Sequence, residues 1–134
     1  MNALFDNGRQ AFLEGRVAWL TDTIRAALVD TSAGNYVCNL ETDETLESIP
    51  EGAIVAISEP FQNKTAHAGV GACPRARFKL VSGPMAGALV LFKDGGSPAA
   101  SPLICYLDTG PGIPVTPAGG PVEIEWDERP IFRI

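Results

Sequence analysis

The stretch AGALVLFKDGGSPAASPLICYLD, residues 86–108, contains the two most apolar segments of the chain. Residues 86–93 and 102–108 have the length and the composition of buried strands. Between them lies DGGSP, residues 94–98, in which every position holds a residue type that turns favour. The sequence therefore predicts two strands joined by a turn.

Several shorter stretches also have the period of a strand, in which every second side chain points to the same face. The alternation is clearest at residues 121–127, where Val122, Ile124 and Trp126 would face inward and the acidic residues between them outward. Residues 53–58 are apolar on both faces, as is typical of a central strand. The other strands are predicted at residues 23–30, which would have one wetter face, 75–81 and 131–134.

Residues 6–14 are predicted to form one short helix near the N-terminus. Asp6 is a suitable N-cap, and Gly15 is a natural stop after the last turn. About two helical turns are too few to be stable alone. We therefore expect this helix to dock on the rest of the domain through Phe12 and Leu13.

These elements add up to about seven or eight strands and one short N-terminal helix. The 14 glycines and 11 prolines are spread along the chain, which suits short strands joined by turns. Neither an internal repeat nor a domain boundary is visible, so residues 1–134 are interpreted as a single domain. The sequence predicts a mainly β fold, a β-sandwich or jelly-roll-like domain, with a barrel as the alternative. Its core is expected to contain Phe12, Trp19, Leu28, Phe78, Leu91, Leu107, Ile124 and Trp126.

Charge and hydropathy argue against two classes of partner. The net charge is −6 and the isoelectric point is about 4.6, and because such a surface repels phosphate backbones, no nucleic acid is expected to bind. No apolar run approaches the roughly 20 residues that a membrane span needs. Residues 1–5 lack the pattern of a signal peptide. The protein is therefore expected to be made in the cytoplasm, with no membrane as partner.

The three cysteines, Cys38, Cys73 and Cys105, do not form a recognisable framework. Their number is odd and no CxxC spacing occurs, which argues against a set of disulfides and against a zinc knuckle. We expect free thiols that are buried or half-buried and pack as small apolar groups. Cys105, inside an apolar run, fits this expectation best.

Residues that catalysis would need are scarce. His67 is the only histidine and lies in the polar residues 63–71, which are predicted to form a loop or the end of a hairpin, with no nucleophile signature nearby. The cysteines that would have to join it in a zinc site lack paired spacing. The acidic group at residues 41–47 lacks the central glycine of a calcium loop, and the carboxylates at residues 123–127 are more simply a solvated strand face. The chain is therefore not expected to be an enzyme, and no metal or cofactor is predicted.

A basic stripe is the first candidate for partner binding. In the predicted strand 75–81, Arg75, Arg77 and Lys79 share one face, and the apolar Ala76, Phe78 and Leu80 share the other. On an otherwise acidic domain, a localised basic stripe could dock on an acidic partner. The alternative interpretation is an ordinary solvated surface.

The glycine- and proline-rich residues 110–121 are the second candidate. Their composition predicts an ordered connection that is not helical. Pro111, Pro114 and Pro117 are the residues of this loop that we expect to contact a partner.

Two stretches of the chain resemble a known group of proteins. These stretches are GRQAFLEGRVAWLTDTIRAALVDT, residues 8–31, and ALVLFKDGGSPAASPLICYLDTGPGIPVTPAGGPVEIEWDERPIFRI, residues 88–134. They contain a short helix that ends in glycine, Trp19 before an apolar strand, an FKD turn, LDT and PVTP stretches, and a WD pair near the terminus. In these features, over a little more than half of its length, the chain resembles small proteins encoded among the virion-structure genes of tailed bacteriophages.

The resemblance implies a virion structural protein made in the host cytoplasm. Small, mostly β proteins of this kind often act as capsid cement or decoration proteins, so the expected partner is the major capsid protein, with a homo-oligomer as the expected state. Many weak contacts made in many copies would stabilise the shell. Two alternatives remain open: a neck or tail component, and a receptor- or carbohydrate-binding module.

Overall fold

The computed structural model describes residues 2–127 and 129–134, and it confirms the mainly β fold. One α-helix lies near the N-terminus, and short 3₁₀ turns occur in the connections. The described elements are β1 (Asn2–Leu4), α1 (Asp6–Leu13), β2 (Ile24–Val29), β3 (Ile54–Ile57), β4 (Thr65–His67), β5 (Val70–Ala72), β6 (Arg75–Val81), β7 (Ala88–Lys93), β8 (Leu103–Leu107), β9 (Gly120–Glu125) and β10 (Phe132–Arg133). The ten described strands exceed the seven or eight expected, because pieces of two or three residues are too short to show a period in the sequence.

The largest sheet is five-stranded and antiparallel, in the order β1-β8-β7-β2-β3. Strands β7 and β8 form the predicted pair, joined through the predicted turn, and Leu91 is opposite Cys105. The register then shifts, so that Phe92 is opposite Leu103 and Ile104 is an extra residue in β8. The expectation that residues 53–58 form a central strand is wrong, because β3 is the last strand of this sheet.

The front face of the five-stranded sheet, which includes Ile24, Leu28 and Leu91, packs against the smaller sheets. These are the β6-β9 pair and the β10-β5-β4 sheet. Together they enclose the larger hydrophobic cluster. Its large members beyond the main sheet are Trp19, Phe61, Phe78, Val81, Ile124 and Trp126.

The back face of the same sheet, which includes Ala27, Val29 and Val90, is buried as well. Residues 32–53 run across it, and we call them the covering segment. Their Tyr36 and Leu46 join the second hydrophobic cluster. The expectation of one wetter face for residues 23–30 is therefore wrong, since a segment distant in sequence covers the face that the alternation assigned to solvent.

Helix α1 begins and ends differently from a simple capped helix. Phe5 is the N-cap residue and makes no side-chain cap hydrogen bond, so the prediction that Asp6 caps the helix is wrong. The predicted stop is confirmed, because Gly15 adopts a positive φ of 74° and the amides of Gly15 and Arg16 bond back to Phe12 and Ala11. These two bonds form a Schellman motif.

The helix docks on β8 through small residues. A Cβ atom on Gly8 would lie 2.6 Å from the carbonyl oxygen of Ile104, so only glycine permits this close approach. Ala11 is fully buried and Phe12 is half-buried, whereas Leu13 is 79% exposed. The expectation that Leu13 anchors the helix is therefore wrong, and so is the placement of Phe12 in the fully buried core.

The other seven residues predicted for the core are buried. One neighbour departs from the pattern: Leu80, placed by the alternation on the inner face of β6, is 65% exposed, and Val81 is buried instead. The register of the β6–β9 pair shifts between Phe78 and Val81. Because of this shift, Val81 faces the core in place of Leu80. Within the described part of the chain, no helix is long and apolar enough to cross a membrane.

Candidate functional site

The basic stripe lies on the outer face of the β6-β9 pair. Strand β6 places the three cations there, and β9 places two carboxylates directly beside them. Arg75 is opposite Glu125, and Arg77 is opposite Glu123. Residues that are opposite each other in an antiparallel pair project from the same face of the sheet. The stripe that the sequence indicated is therefore one half of a mixed-charge surface.

Four of these side chains form an ion-pair ladder, namely Arg75, Arg77, Glu123 and Glu125. The Nη1 atom of Arg75 lies 3.5 Å from Oε2 of Glu123 and 3.8 Å from Oε1 of Glu125. The Nε atom of Arg77 lies 3.9 Å from Oε2 of Glu123. Exposed pairs of this kind contribute about 0–1 kcal/mol each to stability. The ladder therefore contributes little to the stability of the fold. Its main consequence is the pattern of positive and negative charges on this surface.

The third cation of the stripe pairs outside the ladder. Nζ of Lys79 lies 3.1 Å from Oε1 of Glu59, which belongs to the segment that follows β3. A groove of about 400 Å³ runs over this face, bounded by Glu59 and Asn63 on one side and by Glu123 on the other. The groove presents cations and carboxylates in alternation, so it suits a polar surface of mixed charge better than a purely acidic one.

None of the three prolines predicted to contact a partner lines this groove, although Pro121, at the end of the predicted loop 110–121, does. Pro111 and Pro114 are exposed, whereas Pro117 is half-buried. The loop is ordered by its backbone: Val115 and Ala86 exchange two hydrogen bonds of 2.9 Å. The structure thus brings Arg75, Arg77 and Lys79 together and leaves the prolines on a separate connection between β8 and β9.

A second groove lies beside β3, and the sequence analysis did not predict it. Its volume is about 630 Å³. Apolar side chains of the covering segment and of β3 form most of its lining, and two carboxylates are included in it. The lining includes Leu46, Glu47, Ile49, Glu51, Ile54 and Ile57. The groove exists only because the covering segment folds back over the sheet.

One signal in the sequence could have indicated this region. Residues 26–63 contain seven carboxylates and no lysine, arginine or histidine. Five of the seven carboxylates belong to the covering segment, so the fold collects them on the back of the five-stranded sheet.

The residues considered for metal binding or catalysis are separated in the structure. No group of three histidine, cysteine, aspartate or glutamate side chains among the described residues could hold a metal ion. His67 is exposed at the end of the β4–β5 hairpin, which is one of the two alternatives predicted for residues 63–71. Asp43, from the acidic group, accepts hydrogen bonds from Oη of Tyr36 at 2.7 Å and from the amide of Asn39 at 3.0 Å. Burial and this bond to Asp43 raise the pKa of Tyr36 far above its ordinary value, so the phenol stays protonated.

The cysteines have the predicted state of free thiols. Cys73 and Cys105 are buried and Cys38 is half-buried. Burial raises the pKa of all three thiols. A thiol with a raised pKa contains little of the nucleophilic thiolate near neutral pH, so these residues are suited to packing.

The arrangement described above therefore consists of two grooves of different chemistry, one with balanced charges on β6 and β9 and one with an apolar lining and carboxylates beside β3. The first contains every residue of the basic stripe, and the second lies where the chain collects its negative charge. No protein-family model matches this chain, and a search of the curated proteins found no match to it.

Proposed function

We propose that this protein is a structural component of a tailed-bacteriophage virion, namely a capsid decoration protein that binds the shell of the major capsid protein and stabilises it. The observation that supports the proposal most directly is the segregation of charge. Residues 26–63 contain seven negative charges, against −6 for the whole chain, so the remainder has a charge of +1. Five of the seven carboxylates lie in the covering segment, so the back of the five-stranded sheet is strongly acidic and has no cation from its own segment.

A molecule with charge on one side is suited to binding a surface in one orientation. Complementary charges steer the encounter and fix the register of the partners more than they increase affinity. A decoration protein needs such an orientation, because every copy must meet the same junction of the shell. The acidic covering segment would face basic groups of the capsid protein, and the rest of the domain would face outward or toward neighbouring copies.

The packing of the domain supports the same role. Both faces of the five-stranded sheet are buried, in two hydrophobic clusters, so the surface groups are held on a well-packed framework. Weak contacts made by a preorganised surface lose little free energy to ordering, and in many copies they add up to strong stabilisation. The resemblance of residues 8–31 and 88–134 to virion proteins of tailed phages supports the choice of the capsid as partner.

The first test is the copy number of the protein in purified particles, measured by quantitative mass spectrometry against the major capsid protein. We expect a ratio near one copy per capsid subunit. A ratio typical of a ring, far below one per subunit, would move the protein to the neck or tail. Absence from the particles would contradict a virion role and return attention to a receptor- or carbohydrate-binding module, which a glycan array would test.

The second test addresses the acidic side. The triple variant Glu41→Gln/Glu44→Gln/Glu47→Gln removes three exposed carboxylates of the covering segment. We expect it to occupy fewer sites on the particle and to be released at lower salt concentration than the unaltered protein, since screening weakens exposed charge pairs. The matched control, Asp6→Asn/Glu14→Gln/Asp127→Asn, removes three exposed carboxylates from outside residues 26–63. Equal loss of occupancy in both variants would contradict an oriented acidic contact.

A further inference from the structure

We propose that two copies of this chain associate edge to edge through β4, so that their β10-β5-β4 sheets join into one continuous sheet. The contact would be two-fold symmetric, with the two β4 strands antiparallel and Ala66 of one copy opposite Ala66 of the other. Main-chain hydrogen bonds hold a strand that is added to a sheet edge in this way. In a two-fold contact every such bond occurs twice.

The backbone of β4 has free hydrogen-bonding groups on its outer side. Strand β4 is the last strand of its sheet and pairs with β5. The carbonyl of Gly71 in β5 accepts a bond of 2.9 Å from the amide of Ile131, so Gly71 directs this group toward β10. Ala66 is opposite Gly71, and because bonded and non-bonded pairs alternate in an antiparallel ladder, its amide and carbonyl point away from β5. Neither group has a backbone partner within residues 2–127 and 129–134.

The turn of the β4–β5 hairpin requires the same orientation. Ala68 and Gly69 form a two-residue turn, and their φ angles of 51° and 78° fit type I′. The residues that flank such a turn, His67 and Val70, form a hydrogen-bonded pair, so the outward groups fall on Ala66. All three residues of β4 are exposed, so a second chain has access to this amide and carbonyl.

The edge of β4 lacks the usual protection. Proteins guard exposed edges with charged side chains, prolines, bulges or covering segments. Strand β4 has the sequence TAH, without a lysine, arginine, carboxylate or proline, and its register with β5 is regular. In contrast, β9 projects Glu123 and Glu125. Strand β4 is short, but a two-fold contact centred on Ala66 uses only three residues of each copy.

Charge favours a second copy as the occupant of this edge. Residues 60–93 contain five lysine or arginine residues and no aspartate or glutamate, although the net charge of the chain is −6. Two copies that met through their covering segments would place carboxylates opposite carboxylates, which is unfavourable. At β4 no carboxylate of the strand meets another, and the ammonium group of Lys64, just before the strand, donates to the carbonyl of Asp22. Self-repulsion is therefore small at this edge.

Apolar surface beside the edge favours the same occupant. The indole Nε1 of Trp19 donates to the carbonyl of Thr65 at 2.9 Å, so the residues next to Trp19 lie near β4. Leu20 is one of them and is 56% exposed. Ala66 and Ala68 are exposed as well. A second copy would bring the same small, uncharged groups to the contact, and the association would remove apolar area from water.

This inference deepens the proposed function by naming a contact between neighbouring copies, but its test is made in solution without particles. Sedimentation velocity is measured from micromolar to millimolar protein, and we expect the sedimentation coefficient to increase with concentration. Hydrogen exchange followed by NMR then locates the contact. Exchange of the Ala66 amide should slow as the concentration rises. The amides of Thr65 and His67, which bond within the hairpin, should be unaffected.

Two double variants test the register of the contact. In the proposed pairing, Thr65 of one copy is opposite His67 of the other. Thr65→Lys/His67→Lys places like charges opposite each other and should weaken the association by about tenfold or more. Thr65→Glu/His67→Lys places unlike charges there and should associate at least as well as the unaltered protein. The matched control, Val37→Lys/Leu80→Lys, adds two positive charges at positions that are 76% and 65% exposed, outside the hairpin, and should change the affinity by less than about twofold.

Three outcomes would overturn the proposal. One is a monomer at every concentration up to millimolar. Another is association that leaves the exchange of the Ala66 amide unchanged, because the contact would then lie on a different surface. The third is equal association of the two double variants. Particle copy number tests the proposed function separately, so its failure and the failure of the β4 contact are distinguishable.

Discussion

The ring of Phe132 lies directly against Gly71, its partner in the β10–β5 pair. A Cβ atom on Gly71 would lie 2.5 Å from Cζ of Phe132, a distance that packed atoms do not tolerate. Phe132 also packs edge-on against Trp19, with 4.9 Å between ring centroids. Because Gly71 has no side chain, β10 can hold the ring of Phe132 against the larger hydrophobic cluster.

Replacing Gly71 with alanine should therefore destabilise the fold. The added methyl group forces Phe132 off its position and disturbs its contact with Trp19, and we expect a loss of about 1–3 kcal/mol. The free energy of unfolding in urea measures the effect. Gly52→Ala is the control, because no atom lies within 4 Å of a Cβ at that position. Equal stabilities of the two variants would show that the Phe132 ring moves aside without cost.

Trp126→Ala should be more destabilising. Trp126 is 9% exposed, and its ring packs against Phe61 with 5.7 Å between centroids. Truncating a buried aromatic residue leaves a cavity, and the expected loss is about 3–5 kcal/mol. Thermal and urea unfolding measure it, and Leu13→Ala, at a position that is 79% exposed, serves as the control. An unchanged melting temperature for Trp126→Ala would contradict the burial of this ring in the larger hydrophobic cluster.

Acidification should weaken the fold partly through Asp30. The hydroxyl and the amide of Ser32 donate to Oδ1 of Asp30 and Nδ2 of Asn35 donates to Oδ2, and these bonds hold the pKa of Asp30 below its ordinary value of 3.8. A lowered pKa contributes stability that is present above the ordinary value and is lost as pH falls through the folded-state pKa.

The free energy of unfolding should accordingly fall as the pH is lowered from about 5 to about 2, and less steeply in Asp30→Asn than in the unaltered protein. Ser32→Ala, which removes the hydroxyl that contributes most to the shift, should also flatten the dependence. Parallel curves for all three proteins would show that Asp30 is not a source of the pH dependence.

The three thiols should differ in reactivity in the native state. Cys38 is half-buried, whereas Cys73 and Cys105 are buried. With a thiol-specific reagent near neutral pH, we expect slow modification of Cys38 and reaction of the other two only after unfolding, because access and thiolate content both limit the rate. Peptide mass spectrometry identifies the modified residue, and Cys38→Ser should abolish the native-state reaction. Early modification of Cys105 would contradict its burial in β8.

Local patterns determined much of the fold. The apolar runs and the DGGSP turn predict the β7–β8 pair, the alternation predicts β6 and β9, and Gly15 marks the end of the helix. These predictions are confirmed because a strand with one buried face must alternate, and because a left-handed position favours glycine. The grouping of Arg75, Arg77 and Lys79 on one face follows from the same rule.

Contacts between distant segments decided the rest. The sequence could not show that Glu123 and Glu125 pair with the basic stripe, because that depends on the register between β6 and β9. Nor could it show that the covering segment buries the second face of β2, or that the apolar β3 lies at an edge. The sequence by itself indicated a mainly β protein, through strand periodicity and turn residues, and it contains seven carboxylates and no cation in residues 26–63. Only the tertiary structure placed most of that charge on the back of the five-stranded sheet, since packing decides which face of a sheet a distant segment covers.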